Sequence, residues 1–527
     1  MAQDAIQKTF GRRFSIGRRT FIKSAVAMGA SLTLPRTVST AALPSKGGQL
    51  RIGLTGAATT NTLDPATFDD AFMRVLGYSL RNNLTEIAPD QQLVGELAES
   101  WSSSDGAKRW VFKLRDGVEF HNGKTLDAED VAASINHHRG EGTKSGAKAI
   151  VAEIEDIKRD GKTDVVITLK SGNADFPYLL SDYHLPIMPA KDGKPDWQSG
   201  VGTAGYELVA FEPGVRAQVK RTADYWKADR ALVDEALLIA LSDPASRSSS
   251  LITGEVDAIN RCDLKTAEQL SQTPGMRVEE ATGYEHYTAP MLADVAPFDK
   301  NNVRLAIKHA IDREQLLKFI VRGRGTIGND HPISPNHRFH AANIPQHSYD
   351  PDRARFLLKK AGHEGLKLEL NTADAPFSGA VDAAIIIKEH AAKAGIEIDI
   401  RRQPNDGYWS NVWTKVPWCI ARWGGRPTED WMFSQGYSAL SPWNDSHWKN
   451  ERFEKLLTEA RVETDDPKRA EMYEEMQRLV HDQSGAIVFL FANWVYALSD
   501  KVQHADSVSP VWDLDGNKIV ERWWLRS

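Results

Sequence analysis

Seven of the chain's 15 tryptophans, Trp409, Trp413, Trp418, Trp423, Trp431, Trp443 and Trp448, crowd into 40 residues, the best local clue to where a ligand would sit. An indole offers a flat, rigid stacking face and one N–H donor, and holding it costs little entropy. Such clusters suit ligand backbones, sugar rings or cationic groups. Large aromatics also fill cores, so one to three of the seven are expected to touch ligand, with Trp409, Trp423 and Trp431 foremost. Among them, Cys419-Ile420-Ala421-Arg422-Trp423 reads as a strand ending at Gly424-Gly425. Arg426 follows, a planar fork of donors suited to a carboxylate or phosphate. Two readings of it stay open: it receives an anionic part of the ligand, or it closes an internal ion pair with Glu429 or Asp430.

Other residues invite chemistry less strongly. His331, His337, His340 and His347 raise a metal reading, because imidazole is a common ligand. No Cys or carboxylate stands beside them at metal-ligand spacing, so no metal is expected. His137 and His138 are adjacent on a helix and point about 100° apart, which makes no ready chelate. Gly323 to Gly328 spells G-x-G-x-x-G only formally: it follows a helix and leads into a loop, whereas a dinucleotide loop follows a strand and opens a helix. The sequence holds no G-x-S-x-G, H-E-x-x-H or Walker A pattern. Enzyme readings therefore find little support and no cofactor is called for; an exported hydrolase or a chaperone for extended segments is a distant alternative.

The 527 residues are about three domains' worth of chain. A net charge of −6 hides an asymmetry: residues 1–42 carry seven basic residues and one acidic, leaving 58 basic against 70 acidic beyond them. An acidic body of that kind has no electrostatic footprint for nucleic acid or anionic lipid. Within the basic leader, Gly17-Arg18-Arg19-Thr20-Phe21-Ile22-Lys23 resembles a twin-arginine export motif. A mild apolar run from Ala25 to Leu34, too short to span a bilayer, and small residues at 39–42 complete a cleavable signal. The expectation is passage through the twin-arginine machinery and a mature chain free in the periplasm. Cys262 and Cys419 are either partners in a disulfide or two buried thiols.

The elements that must position these residues are legible in blocks. In residues 96–131, Asp105-Gly106 turns a hairpin whose return strand alternates Trp110, Phe112 and Leu114 inward, and Asp127 with Asp130 caps the next helix. Leu366 to Leu370, a helix from Ala380 to Ala394 and Ile396 to Ile400 form a β-α-β unit, which implies a largely parallel sheet. The block 96–131, the turn Thr62-Leu63-Asp64-Pro65, the strand pair within 201–226 and PFDKNNVRLAIKHAIDREQL at 297–316 together resemble one family. They are similar to the family 5 extracytoplasmic solute-binding proteins of ABC importers, which handle oligopeptides, dipeptides, nickel complexes and some opines.

The resemblance covers nearly the whole chain from about Gly47 onward. It implies an α/β, two-lobe periplasmic binding protein of Venus-flytrap type with mixed sheets and a ligand cleft between the lobes. Lobe I would take residues 46–287 and 494–527, with an inserted subdomain at about 80–200, and lobe II residues 288–493. It also implies that Tyr287 and Met291 near the first crossover, Trp494 near the second, and Asp330 and His331 in a cleft-side loop contact ligand. In peptide binders of the family an Asp two or three residues after the Trp423 position grips the peptide's ammonium; here Gly425 and Arg426 stand there. Asp430 is the nearest carboxylate. The implied function is a monomeric receptor that closes on a peptide-type solute and delivers it to a membrane permease. An anionic non-peptide such as an opine, sugar phosphate or conjugated sugar is the alternative.

Overall fold

The computed structural model describes residues 44–526. The twin-arginine motif at 17–23 and the cleavage region at 39–42 lie outside the described residues. The organising element is the strand Val488–Ser499, VFLFANWVYALS, an apolar run of the kind a strand buried on both faces requires. Its side chains feed four cores. Tyr496 and Leu498 enter one and Val495 and Ala497 a second; Phe489 and Ala492 enter a third, Val488 and Phe491 a fourth. Asn493, the only residue of this strand that is not buried, separates the two pairs of cores. Each pair of cores clothes one end of the sheet, and those ends belong to the two lobes.

The strand Met276–Thr288 runs antiparallel beside it from one lobe to the other. Their pairing shifts register between Thr282 and His286, opposite Asn493 and Phe491. Such an irregularity bends and twists a ladder, and here it falls where the chain passes between cores. The large sheet has nine strands, and among the described residues its only parallel pairs are those of Gln49–Leu54 with Glu235–Ala240 and with Ala258–Ile259. The expectation of a largely parallel sheet therefore needs correcting. The β-α-β unit is present as Lys367–Thr372, Ala380–Ala392 and Glu397–Arg402, but its two parallel strands make a ribbon of their own. Parallel pairing needs a long crossover, whereas much of the large sheet is closed by a hairpin and by strands returning from late in the chain.

The segment 96–131 opens an antiparallel four-stranded sheet, with Ala98–Ser104 beside Arg109–Leu114. Asp105, Gly106 and Ala107 all take φ between 55° and 60° in the connecting turn. Trp110, Phe112 and Leu114 point into one core. Asp127 and Asp130 form a reciprocal capping box at the start of Ala128–Asn136, an arrangement worth about 1 kcal/mol. Cys262 and Cys419 are both buried and unpaired, in separate apolar clusters.

Candidate functional site

Between the lobes lies a cavity of about 470 Å³, within the roughly 300–1,000 Å³ typical of small-molecule pockets. Its second-lobe wall grows from the strand Ala421–Trp423, which pairs with His286–Thr288 at the sheet edge. The chain must then turn sharply. Gly425 does so at φ +76°, so close to Tyr284 that a Cβ would run into that residue's Cβ and carbonyl. No aspartate fits there. Thr428 next caps the helix Glu429–Gly436, accepting from Trp431 N at 3.3 Å. Trp431 and Gln435, one helical turn apart, both line the cavity.

Arg426 lies across that face. Its Nε donates to Gln435 Oε1 at 2.6 Å, its Nη1 to the Gly425 carbonyl at 2.5 Å, and the guanidinium sits 5.5 Å from the Trp431 ring centroid. His337 holds the Arg426 peptide: Nε2 donates to the Arg426 carbonyl at 2.8 Å while Nδ1 accepts from Ser334 N at 2.9 Å. Burial pushes the His337 pKa down to about 3, so the ring stays neutral in that role. No carboxylate among the described residues pairs with Arg426: Asp430 is taken by Arg461 at 3.1 Å, and Glu429 accepts from Phe339 N at 2.7 Å.

The first-lobe wall is built by Asp182, Tyr183 and Trp512. His184 donates from both its backbone N, at 3.0 Å, and its Nδ1, at 2.6 Å, to Asp182 Oδ1. Oδ2 makes no hydrogen bond among the described residues. Burial alone would raise the Asp182 carboxyl, but the charge and hydrogen bonds of His184, with the charge of Arg426, hold it below its usual value. Tyr183 and Trp512 grip the Arg74 guanidinium, 5.3 and 4.8 Å from their ring centroids. Asn517 Oδ1 fixes that guanidinium in turn at 2.9 Å.

Under the first-lobe wall runs a buried ion network. Lys227 Nζ reaches Glu96, Glu86 and Glu521 at 2.6, 2.8 and 2.9 Å; Lys518 Nζ reaches Glu96 at 2.8 Å; Arg522 reaches Glu86 at 2.5 Å. Three carboxylates this close could chelate a divalent cation, but two lysine ammonium groups already fill the space between them. Burial would raise the Glu86 carboxyl, and the charges of Lys518, Lys227 and Arg522 overcome that and hold it well below the ordinary value. The network forms a charged floor.

Of the residues singled out from sequence, Arg426 and Trp431 stand together on the cavity wall, and Trp443, 44% exposed, lines it too. The structure places the others elsewhere. Asp330 is fully enclosed, with both oxygens 2.8 Å from Arg313 Nη2 and His347 Nδ1 at 2.8 Å. His331 is buried next to it in sequence, off the cavity wall. Trp423 sits in a core, and it and Trp413 donate to Asp445 Oδ2 at 2.9 and 3.2 Å. Trp409 stands edge-on to Trp413, 39% exposed and away from the cavity lining. Tyr287 stacks on Phe377 at 3.7 Å and Met291 is wholly buried, because the chain leaving the crossover is enclosed on both sides. Trp494 packs 6.3 Å from Trp512 and so backs a wall residue without reaching the cavity. Of the histidines read for metal, His347 stacks face to face on His481 at 3.7 Å. Their Nδ1 atoms are committed to Asp330 and Asp482.

Sequence reasoning missed Tyr183, Trp512 and the charged floor. The density of Asp513, Asp515, Lys518, Glu521 and Arg522 around the late tryptophans was the available signal.

The family described as bacterial extracellular solute-binding proteins, family 5 Middle, matches residues 92–445. The dipeptide-binding protein of Escherichia coli strain K12 is 25% identical over 484 residues, covering 82% of this chain and 85% of that one. Heme-binding protein A of Haemophilus influenzae is 25% identical over 429 residues, covering 74% and 77%. The solved structure of AgaA from A. tumefaciens R10 with agropinic acid is 22% identical, with a TM-score of 0.75 over 91% of this chain and 99% of AgaA. That likeness carries the two-lobe binding-protein fold.

Proposed function

The chain belongs to the bacterial extracellular solute-binding proteins of family 5, and from that premise we propose that it is the periplasmic receptor of an ABC importer, exported through a twin-arginine signal in residues 1–42. Lobe I is residues 46–287 and 494–527, lobe II is residues 288–493, and the two close on a small solute of the peptide-type class and pass it to a membrane permease. The observation that carries this is Arg426, a guanidinium enclosed in the interlobe cavity with no carboxylate partner among the described residues. The guanidinium is half-buried with donors left unused, and an anionic group on the ligand would give them a charged partner. The cavity suits one small molecule and not a long chain.

Micromolar binding needs about −8 kcal/mol. Two charge-assisted hydrogen bonds at roughly 1.5–3 kcal/mol each, with ~200 Å² of apolar contact at ~25 cal/mol/Å², reach that before ordering costs. Ligand favours the closed form only through its greater affinity for it. The second reading, an anionic non-peptide, draws support from Gly425, where no ammonium-gripping aspartate fits, and from Trp431 and Trp443 on the wall. Its relative AgaA holds agropinic acid.

Mass spectrometry of whatever copurifies with the protein, followed by thermal shift with that compound and a panel of short peptides and acids, tests the proposal. Ligand at a hundred times its Kd should stabilise by about 2.7 kcal/mol and be released chemically unchanged. Arg426→Ala should weaken it at least about tenfold. If no compound copurifies and none in the panel shifts the melting temperature, the receptor reading is lost.

A further inference from the structure

Two charged groups face each other across the cavity without touching. Arg426 comes from the second lobe and Asp182 from the first, and both line the same space. Each is half-committed in a way that fixes its direction. Arg426 spends Nε and Nη1 on Gln435 and Gly425, which leaves the N–H groups of Nη2 unused among the described residues. Asp182 spends Oδ1 on His184, which leaves Oδ2. Neither free atom is among the buried polar atoms that lack a partner, so each is open to the cavity. No ion pair joins the two residues, yet each lies within range of the other's charge. A donor fork from one lobe and a carboxylate oxygen from the other therefore stand unengaged in one small space.

Resting on the receptor reading above, we propose that Asp182 and Arg426 set the polarity of a zwitterionic ligand, with its ammonium toward Asp182 on the first lobe and its carboxylate toward Arg426 on the second. This is the reverse of an ammonium grip from the second lobe just after Trp423, the arrangement that Gly425 forbids for want of space against Tyr284. The ligand completes an ion pair that the lobes leave open, and by joining one residue from each lobe it gains most when they are closed. Trp431, under the guanidinium, keeps the fork from turning away.

Calorimetry with one dipeptide and its blocked forms tests the polarity. The probes are L-alanyl-L-phenylalanine, its N-acetyl form and its C-terminal amide, each measured against the full mature chain and the variants Asp182→Asn and Arg426→Gln. The amide that Asp182→Asn introduces keeps the oxygen that His184 needs, and the blocked probes leave the protein unaltered, so neither arm depends on a damaged fold. Acetylation and Asp182→Asn should each weaken binding roughly ten- to a hundredfold, and their combination should cost little more than either alone. Amidation and Arg426→Gln should behave as the other such pair, while crossed combinations should be additive. Non-additivity in the crossed pairs instead would mean the opposite polarity and overturn the proposal. Failure of the free dipeptide and of free phenylalanine to bind at millimolar concentration would overturn it too. The receptor reading would survive that result if the copurified compound still raised the melting temperature.

Discussion

Two arginines of the second lobe face two carboxylates of one short first-lobe segment, and they end in opposite states. Arg469 Nη2 meets Asp175 Oδ2 at 2.7 Å, with both side chains almost wholly buried. Arg426 and Asp182, seven residues further along that segment, stay apart across the cavity. The closed pair is reinforced by its neighbours: Ala174 N donates to the Arg461 carbonyl at 2.7 Å, and Arg461 lies 3.8 Å from Glu153. The closed pair is a clasp between the two segments, and the open pair leaves a gap. Sequence spacing gives no hint of which carboxylate plays which part; the partner's lobe position decides it.

Breaking the clasp should give the largest effect. Arg469→Met leaves the Asp175 carboxylate buried and unpaired, a loss of about 3–5 kcal/mol from the arrangement shown by this structure. If the lobes hinge, that loss appears as an increased radius of gyration in ligand-free X-ray scattering and as at least about a hundredfold weaker ligand binding. Adding Asp175→Asn should recover most of both. Unchanged scattering and affinity in Arg469→Met would remove the clasp from the account. Asp330→Ala is the matched control, since it strips an equally buried arginine, Arg313, of its carboxylate but within one lobe. About 3 kcal/mol of global stability in urea unfolding should go, with the affinity of the remaining folded protein unchanged.

That contrast also shows how far the sequence could be read. Hairpin, capping box and β-α-β unit were legible because each is local: a turn residue, a capping pair, a period. The apolar run from Ala486 to Leu498 is legible as a strand, but not as one that feeds four cores, because the partners on its faces come from distant segments. The site was legible mainly within the tryptophan-rich stretch, at Arg426, Trp431 and Trp443. Asp330 shows the limit: a carboxylate in a loop looks available for ligand until Arg313 and His347 are found closing over it. Trp512, Lys518 and Arg522 lie far along the chain from the tryptophan cluster and join it only through the fold.

Glu429 makes the clasp region sensitive to pH, because its carboxyl feels the charges of both Asp175 and Arg469. Burial pushes its pKa up to about 7, with Asp175 adding to the rise and Arg469 opposing it. A carboxyl whose folded value lies above its ordinary 4.5 contributes stability that is fully present below 4.5 and is lost as pH rises through 7. Glu429→Gln should therefore match the wild type near pH 4.5 and exceed it by on the order of 3 kcal/mol at pH 8, read as the difference between their urea-unfolding curves. A pH-independent difference would mean that Glu429 ionises freely.

The smallest effect separates two tryptophans that sequence alone cannot tell apart. Trp409 and Trp443 are similarly exposed, and both lean edge-on against Trp413. Trp413 and Trp423 are pinned by their indole N–H groups to the buried Asp445, so this frame cannot shift to bring either outer ring to the ligand. Position decides: Trp443 lines the cavity and Trp409 does not. Trp409→Ala should cost no more than about 1 kcal/mol of stability and leave ligand affinity as it was in calorimetry, whereas Trp443→Ala should weaken binding severalfold at little cost to the fold. Equal losses of affinity would place the ligand outside the cavity, on the exposed face of the tryptophan cluster, and the gap between Arg426 and Asp182 would then need another occupant.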